Sequence, residues 1–312
     1  MLYYLVIIFL YISLQINIMA EEIDFEREYS PSRWSIRFST PEEVIKYHIE
    51  HVTSASLAAT NNIPHELDIE YGPTLGQKLD ILGTDLPKDA PIFVYIHGGF
   101  WQMLSRNISR YAAEPLHHAG IKTIVVGYDL CPTVGLQQIV SEVENAAKYV
   151  FQYAENMRSR GVYFAGHSAG AHLVAKILSN ASLLANTPGS NRLKGAFLVS
   201  GVYSLQELLY TTVNDALNLT DELANTLSPY FDNFAHLKDK EIRINVIAGQ
   251  HDTSRFKKQS KEFYELLHNK YSLPNVNLDI KDNYDHFDIV ECFSNNNNYL
   301  KMLLIQDIEK YL

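Results

Sequence analysis

From Pro91 onward the chain alternates short, wholly apolar runs with longer amphipathic ones, and this alternation is what most narrows the folds open to it. PIFVYIH at 91–97, IKTIVVGYD at 121–129, GVYFAGH at 161–167, LKGAFLVSG at 193–201, IRINVIAG at 242–249 and VNLDI at 276–280 are each long enough for one strand. Helical periodicity fills the intervals near 110–118, 136–156, 169–179 and 257–268. Strands apolar on both faces and separated by helices imply an α/β fold with a mostly parallel central sheet and helices on both faces.

Upstream, Thr40-Pro41-Glu42-Glu43 supplies a capping hydroxyl, a proline at the first helical position and a glutamate at the third, so a helix is expected over 44–59. Residues 65–71 and 77–82 alternate polar and apolar around a Gly-Pro-Thr turn, as an antiparallel edge pair would. Residues 203–240 carry only short helical patterns, which reads as a small cap inserted into one domain. Since 312 residues are compatible with one large α/β unit and no linker divides the chain, 21–312 is read as a single domain.

Residues 1–18 form an apolar run uncharged until Glu21, giving a separate segment over 1–20. The run is marginal for a membrane span, and two further readings stay open. One is a secretory signal, although a cut after Ala20 would place Ile18 at −3 and no Lys or Arg precedes the apolar core. The other is translation from Met19, which would make the protein cytoplasmic. The sequons at Asn107, Asn180 and Asn218 do not decide between them.

A formal charge of −10 leaves no basic field for nucleic acid. Cys131 and Cys292 alone make neither a disulfide framework nor a zinc site, so no metal is expected.

Gly166-His167-Ser168-Ala169-Gly170 stands between an expected strand and an expected helix. A nucleophile on so sharp a turn needs small neighbours at −2 and +2, where a Cβ would collide with strand and helix. With 15 Gly in 312 residues, a given serine is flanked this way by chance with probability of roughly 0.002. A serine hydroxyl needs a base and a group to orient that base. In the chain order of α/β hydrolases these are Asp252, just past the strand at 242–249, and His286, in a loop 34 residues further on. Asp129 precedes the serine, Asp282, Asp285 and Asp288 lie too near His286 in sequence, and His172 and His251 fit loop or helix positions better. The oxyanion of acyl transfer requires backbone donors, expected from Ala169 and from Gly98 and Gly99 in His97-Gly98-Gly99-Phe100-Trp101. Phe100 and Trp101 are expected to line the substrate pocket, and His97 to brace its own loop.

Seven segments in order, SPSRW (30–34), HGGFWQ (97–102), GYDLCP (127–132), GHSAGAHL (166–173), SGVYSLQEL (200–208), QHDTSRFKKQSKEFYELL (250–267) and DHFDIVE (285–291), together resemble the kynurenine formamidase (arylformamidase) family of α/β hydrolases. The resemblance runs from Tyr29 to the C-terminus. It implies hydrolysis of the formamide of N-formylkynurenine to kynurenine and formate in tryptophan breakdown, with Ser168 as nucleophile, Asp252 and His286 as its partners, and the HGGFW loop at oxyanion and substrate. It also implies a start near Met19, a cytosolic location and no cofactor. The family loop more often reads HGGYW, so a tyrosine hydroxyl is replaced by the bare ring of Phe100. The partners expected are a small-molecule aryl formamide and, at most, a second copy of the chain as a homodimer. A general carboxylesterase of the HGG type and a non-catalytic hydrolase-fold binding protein are the rival readings.

Overall fold

The computed structural model describes residues 23–310. The segment read above as signal-like or upstream of Met19 lies outside the described residues.

Eight strands form one sheet: β1 (His65–Glu70), β2 (Lys78–Leu82), β3 (Ile92–Ile96), β4 (Lys122–Val126), β5 (Val162–His167), β6 (Leu193–Val199), β7 (Arg243–Gly249) and β8 (Val276–Lys281). Their spatial order is β1-β2-β4-β3-β5-β6-β7-β8. The β1–β2 and β2–β4 pairings are antiparallel, and every other pairing is parallel. Burial explains the two textures seen in the sequence. Every residue of β3, β4 and β5 is buried, whereas β1 alternates half-buried and exposed positions at the sheet edge.

Five helices of eleven residues or more cover the sheet among the described residues: α1 (Pro41–Asn62), α2 (Leu136–Met157), α3 (Ala169–Ser179), α4 (Ser254–Glu265) and α5 (Tyr299–Glu309). Alternation along a strand sends neighbouring side chains to opposite faces. Ile92, Val94 and Ile96 of β3 join a core with α2, α3 and α4, through residues such as Ile139, Leu173 and Phe263. Phe93 and Tyr95 face the other way, into a second core with Val52 of α1 and Leu300 and Leu304 of α5. Each such buried side chain stabilises the fold by about 1.5–3 kcal/mol relative to exposure.

Helix α1 begins as its sequence predicts, with a complete capping box between Thr40 and Glu43 and Pro41 in the first turn. It continues to Asn62, three residues beyond expectation, and stops where Pro64 forces Ile63 into an extended conformation. Helix α4 starts three residues earlier than expected because the Thr253 hydroxyl accepts the Phe256 N–H at 3.1 Å. Helix α5, which the sequence reading did not single out, is capped by the Asn298 side chain and completes the second layer. Between β6 and β7 the chain makes only short helical pieces, the longest being Asp221–Leu227. No helix among the described residues is long and apolar enough to cross a membrane.

The strand order reverses at β3: β4 lies on one side of it and β5 on the other. The connections leaving the carboxyl ends of β3 and β5 therefore diverge, opening a crevice where this kind of sheet places its ligands. The HGGFW loop leaves β3 at that point, and Ser168 leaves β5.

Candidate active site

Ser168 sits between the last residue of β5 and the first of α3 with φ 54° and ψ −117°, a conformation that costs a non-glycine residue on the order of 1–3 kcal/mol. The flanking glycines are sterically required. A Cβ on Gly166 would lie 2.2 Å from the carbonyl oxygen of Gly170, and one on Gly170 would lie 2.1 Å from that of Ile96. Gly98 approaches the same turn, since a Cβ there would sit 2.8 Å from the His167 carbonyl oxygen and 3.2 Å from the Ser168 Cβ. The HGG loop and the serine turn are thus in contact, with Ala169 opening α3 beside them. The first N–H groups of a helix have no intrahelical acceptor and are free to meet an anion.

Asp252 is fully buried just beyond β7, and His286 is 2% exposed. The imidazole Nδ1 lies 3.0 Å and 3.2 Å from the two carboxylate oxygens of Asp252, so Nδ1–H donates and the Nε2 lone pair is left for proton transfer. The Asp252 Oδ1 also accepts the Thr253 N–H at 2.8 Å. Two backbone bonds dock the acid turn on the histidine loop: the Gln250 N–H donates to the Lys281 carbonyl and the His251 N–H to that of Tyr284, both at 2.8 Å. Gly249 permits this approach, because a Cβ there would meet the Tyr284 carbonyl oxygen at 2.4 Å.

His167 joins the serine turn to the histidine loop. Its Nε2–H donates to the His286 carbonyl oxygen at 2.8 Å, and the two rings lie 4.6 Å apart. Burial, followed by the neighbouring His286, holds its pKa far below the usual 6.5, so it acts as a neutral donor.

The HGGFW loop takes three successive left-handed residues, Gly99 (φ 96°), Phe100 (φ 49°) and Trp101 (φ 59°). Its braces are local. His97 Nδ1–H donates to the Gly98 carbonyl at 2.9 Å and the ring stacks on Tyr128 at 4.3 Å; burial lowers its pKa to about 4, as befits a bracing rather than a titrating residue. The Cys131 N–H donates to the Trp101 carbonyl at 2.8 Å, and Gln102 Nε2 donates to the Val213 carbonyl at 2.7 Å, tying the loop to segment 203–240. Phe100 is partly buried and touches Phe256, whose edge meets the His286 ring with centroids 4.7 Å apart. Trp101 is fully buried edge-on to His172, with no hydrogen-bond partner for its indole N–H.

The competing residues have other partners. Asp129 accepts the Gly76 N–H at 2.9 Å, Asp285 pairs with Arg37, and His172 Nε2–H donates to the Leu227 carbonyl at 2.8 Å. The structure adds His167, Arg37 and Phe256 to the surroundings of His286. None of the three was singled out by the sequence, because each comes near His286 only through tertiary packing. Among the described residues there is no group of three or more His, Cys, Asp or Glu side chains able to hold a metal ion.

A doubly wound sheet with a serine on a glycine-flanked turn and a buried Asp–His pair across from it defines the α/β hydrolase class, and the model of a family described by its alpha/beta hydrolase fold matches residues 93–259, over half of the chain. Esterase B from Lactobacillus rhamnosis shares this architecture, with a TM-score of 0.66 at 16% identity, covering 92% of this chain and 96% of that one; at such identity the likeness shows the fold alone. A kynurenine formamidase of Salmo salar is 38% identical over 290 residues, 92% of this chain and 96% of its own, and one of Danio rerio is 37% identical over 292 residues with the same coverage. The chain belongs to the kynurenine formamidase family.

Proposed function

We propose that the protein is an arylformamidase that hydrolyses the formamide of N-formylkynurenine to kynurenine and formate, as a step of tryptophan catabolism, with Ser168, His286 and Asp252 as its catalytic triad. The observation that carries the reading is identity of 37–38% to named kynurenine formamidases across nine-tenths of the chain, combined with an intact Asp252–His286 pair at 3.0 Å. In this reading Ser168 Oγ attacks the formyl carbon while His286 Nε2 takes its proton, and Asp252 stabilises the resulting imidazolium. The N–H groups of Gly98, Gly99 and Ala169 donate to the developing oxyanion, a contribution of about 10²–10³ in rate per donor. Collapse breaks the C–N bond and His286 hands its proton to the departing aryl amine. Water, deprotonated by the same imidazole, then cleaves the formyl ester, releasing formate and restoring the serine.

Because formyl is the smallest acyl group, selectivity falls to the aromatic leaving side, where we assign Phe100 and Trp101 together with the cap over 203–240 of a single domain. No cofactor or metal enters this scheme. Cytoplasmic location by translation from Met19, with secretion through 1–20 as the alternative, and a homodimeric state complete the proposal. A native N-terminus at Glu21 would select secretion, and sedimentation of monomers alone would remove the dimer.

Rates on N-formylkynurenine and on short aryl esters test the substrate. Fast formamide turnover is expected, with Ser168→Ala abolishing both that turnover and labelling by a fluorophosphonate. Negligible formamide hydrolysis beside rapid ester cleavage would make the protein a general carboxylesterase, and no labelling of the folded wild type would make it a binding protein.

A further inference from the structure

The residues ahead of α1 lie across the elements that carry the proposed triad. Tyr29, buried against Phe256, donates its hydroxyl to Glu207 at 2.8 Å and accepts from Gln259 at 2.6 Å. Glu28 accepts the Ser254 hydroxyl at the start of α4. Further along the same strand of chain, Arg37 reaches the turn that holds His286. Its Nε donates to Asp285 Oδ2 at 2.8 Å, Nη2 to Asp285 Oδ1 at 3.3 Å, and Nη1 to Glu291 Oε2 at 2.8 Å. Ser35 Oγ–H donates to the same Asp285 Oδ2.

Asp285 in turn builds the histidine turn. Its Oδ1 accepts the N–H groups of Phe287 at 2.8 Å and Asp288 at 2.9 Å, so the carboxylate spans His286 from the residue before it to the two after it. We infer that Arg37 is a positioning residue for His286: its fork fixes the Asp285 carboxylate that folds the turn, and its charge offsets the acidic groups beside the base. The inference rests on His286 serving as the base in the proposed hydrolysis.

Charge around the turn makes the second half of this role specific. Burial alone would push the Asp285 carboxyl up, yet the bonds from Arg37 and Ser35 outweigh it and hold the pKa at about 2, so this carboxylate stays ionised. Asp288, raised to about 7 by burial and then by Asp285, has its Oδ2 3.6 Å from Arg37 Nε. Glu291 is shared with His48 of α1, whose Nδ1 lies 2.9 Å away. From the other elements, Asp252 faces His286 directly and His167 faces it as a neutral ring, while Tyr284 and Cys292 adjoin Asp288 with raised pKa values. Removing the Arg37 charge leaves the already acidic turn more negative, so the acid limb of the rate profile is expected to move upward.

Arg37→Gln, Arg37→Lys and His286→Ala, compared with wild type on both p-nitrophenyl acetate and N-formylkynurenine, test the inference. Arg37→Gln is expected to lower kcat by about 10- to 100-fold with KM within about twofold, and to shift the acid limb of kcat/KM up by about half a pH unit or more. Arg37→Lys should restore the acid limb but only part of kcat, since an ammonium cannot span both carboxylates. A folded Arg37→Gln with wild-type kcat and pH profile, changed only in melting temperature, overturns the positioning role. Should that variant fail to fold, Ser35→Ala reports on the same carboxylate: a twofold or larger fall in kcat at unchanged KM supports the role, and unchanged kcat overturns it. Survival of turnover in His286→Ala would instead overturn the base assignment and the inference with it, an outcome distinct from an inactive His286→Ala beside a wild-type-like Arg37→Gln.

Discussion

Gly170 has no side chain because the carbonyl oxygens of Ile96 and His97 occupy the space one would need, 2.1 Å and 2.7 Å from the Cβ position. Both obstacles are backbone atoms of packed elements, so neither can rotate aside. Gly170→Ala is expected to destabilise the fold by about 1–3 kcal/mol, read as a melting temperature lower by several degrees; an unchanged transition would mean that β3 and α3 yield more easily than their burial implies. The same local argument made the serine turn readable in advance, since a nucleophile elbow imposes its demands within five consecutive residues. Asp252 and His286 were placed by chain order, the first after the buried apolar strand β7 and the second after the alternating edge strand β8. His167 and Arg37 were not readable. A histidine beside Ser168 or an arginine 248 residues from Asp285 carries no sign of its partner until the chain folds.

The HGGFW loop depends on neighbours that are remote in sequence. Gln102 bonds to Val213 across 111 residues, the direct side-chain tie between this loop and segment 203–240. Gln102→Ala removes one hydrogen bond of about 0.5–1.5 kcal/mol. If the loop must be held for oxyanion binding, kcat on N-formylkynurenine should fall about two- to tenfold with little change in melting temperature; an unchanged kcat would show that the bonds from His97 and Cys131 suffice. Strands and the existence of the helices are legible in the sequence because apolar runs and periodicity act locally. Exact helix boundaries at either terminus are less legible. The extra turn of α1 and the early start of α4 were set by Pro64 and Thr253, one residue or one hydroxyl each.

Three buried histidines tie layers together as neutral rings: His97 in the HGGFW loop, His167 between two loops and His172 between α3 and the 203–240 segment. Burial lowers their pKa values, to about 4 for His97, about 3 for His172 and well below normal for His167. Below pH 6.5 the unfolded chain binds protons that the native state refuses, so stability is present above that pH and is lost as pH falls toward the native values. Each histidine contributes a slope approaching 1.4 kcal/mol per pH unit. Urea midpoints should therefore fall steeply from pH 6.5 to 4.5, and His172→Gln, which keeps a donor for Leu227, should flatten that slope. An identical slope in the variant would remove His172 as a contributor.

Amino-acid order was enough to indicate the layered α/β architecture and the glycine-flanked serine turn, because periodicity, capping and elbow sterics operate over a few neighbouring residues. Folding alone settled which distant groups meet: His167 on the carbonyl of His286, Arg37 on the carboxylate beside it, Gln102 on Val213. Those contacts join elements far apart in the chain, and no local pattern encodes the partner that packing brings within 3 Å.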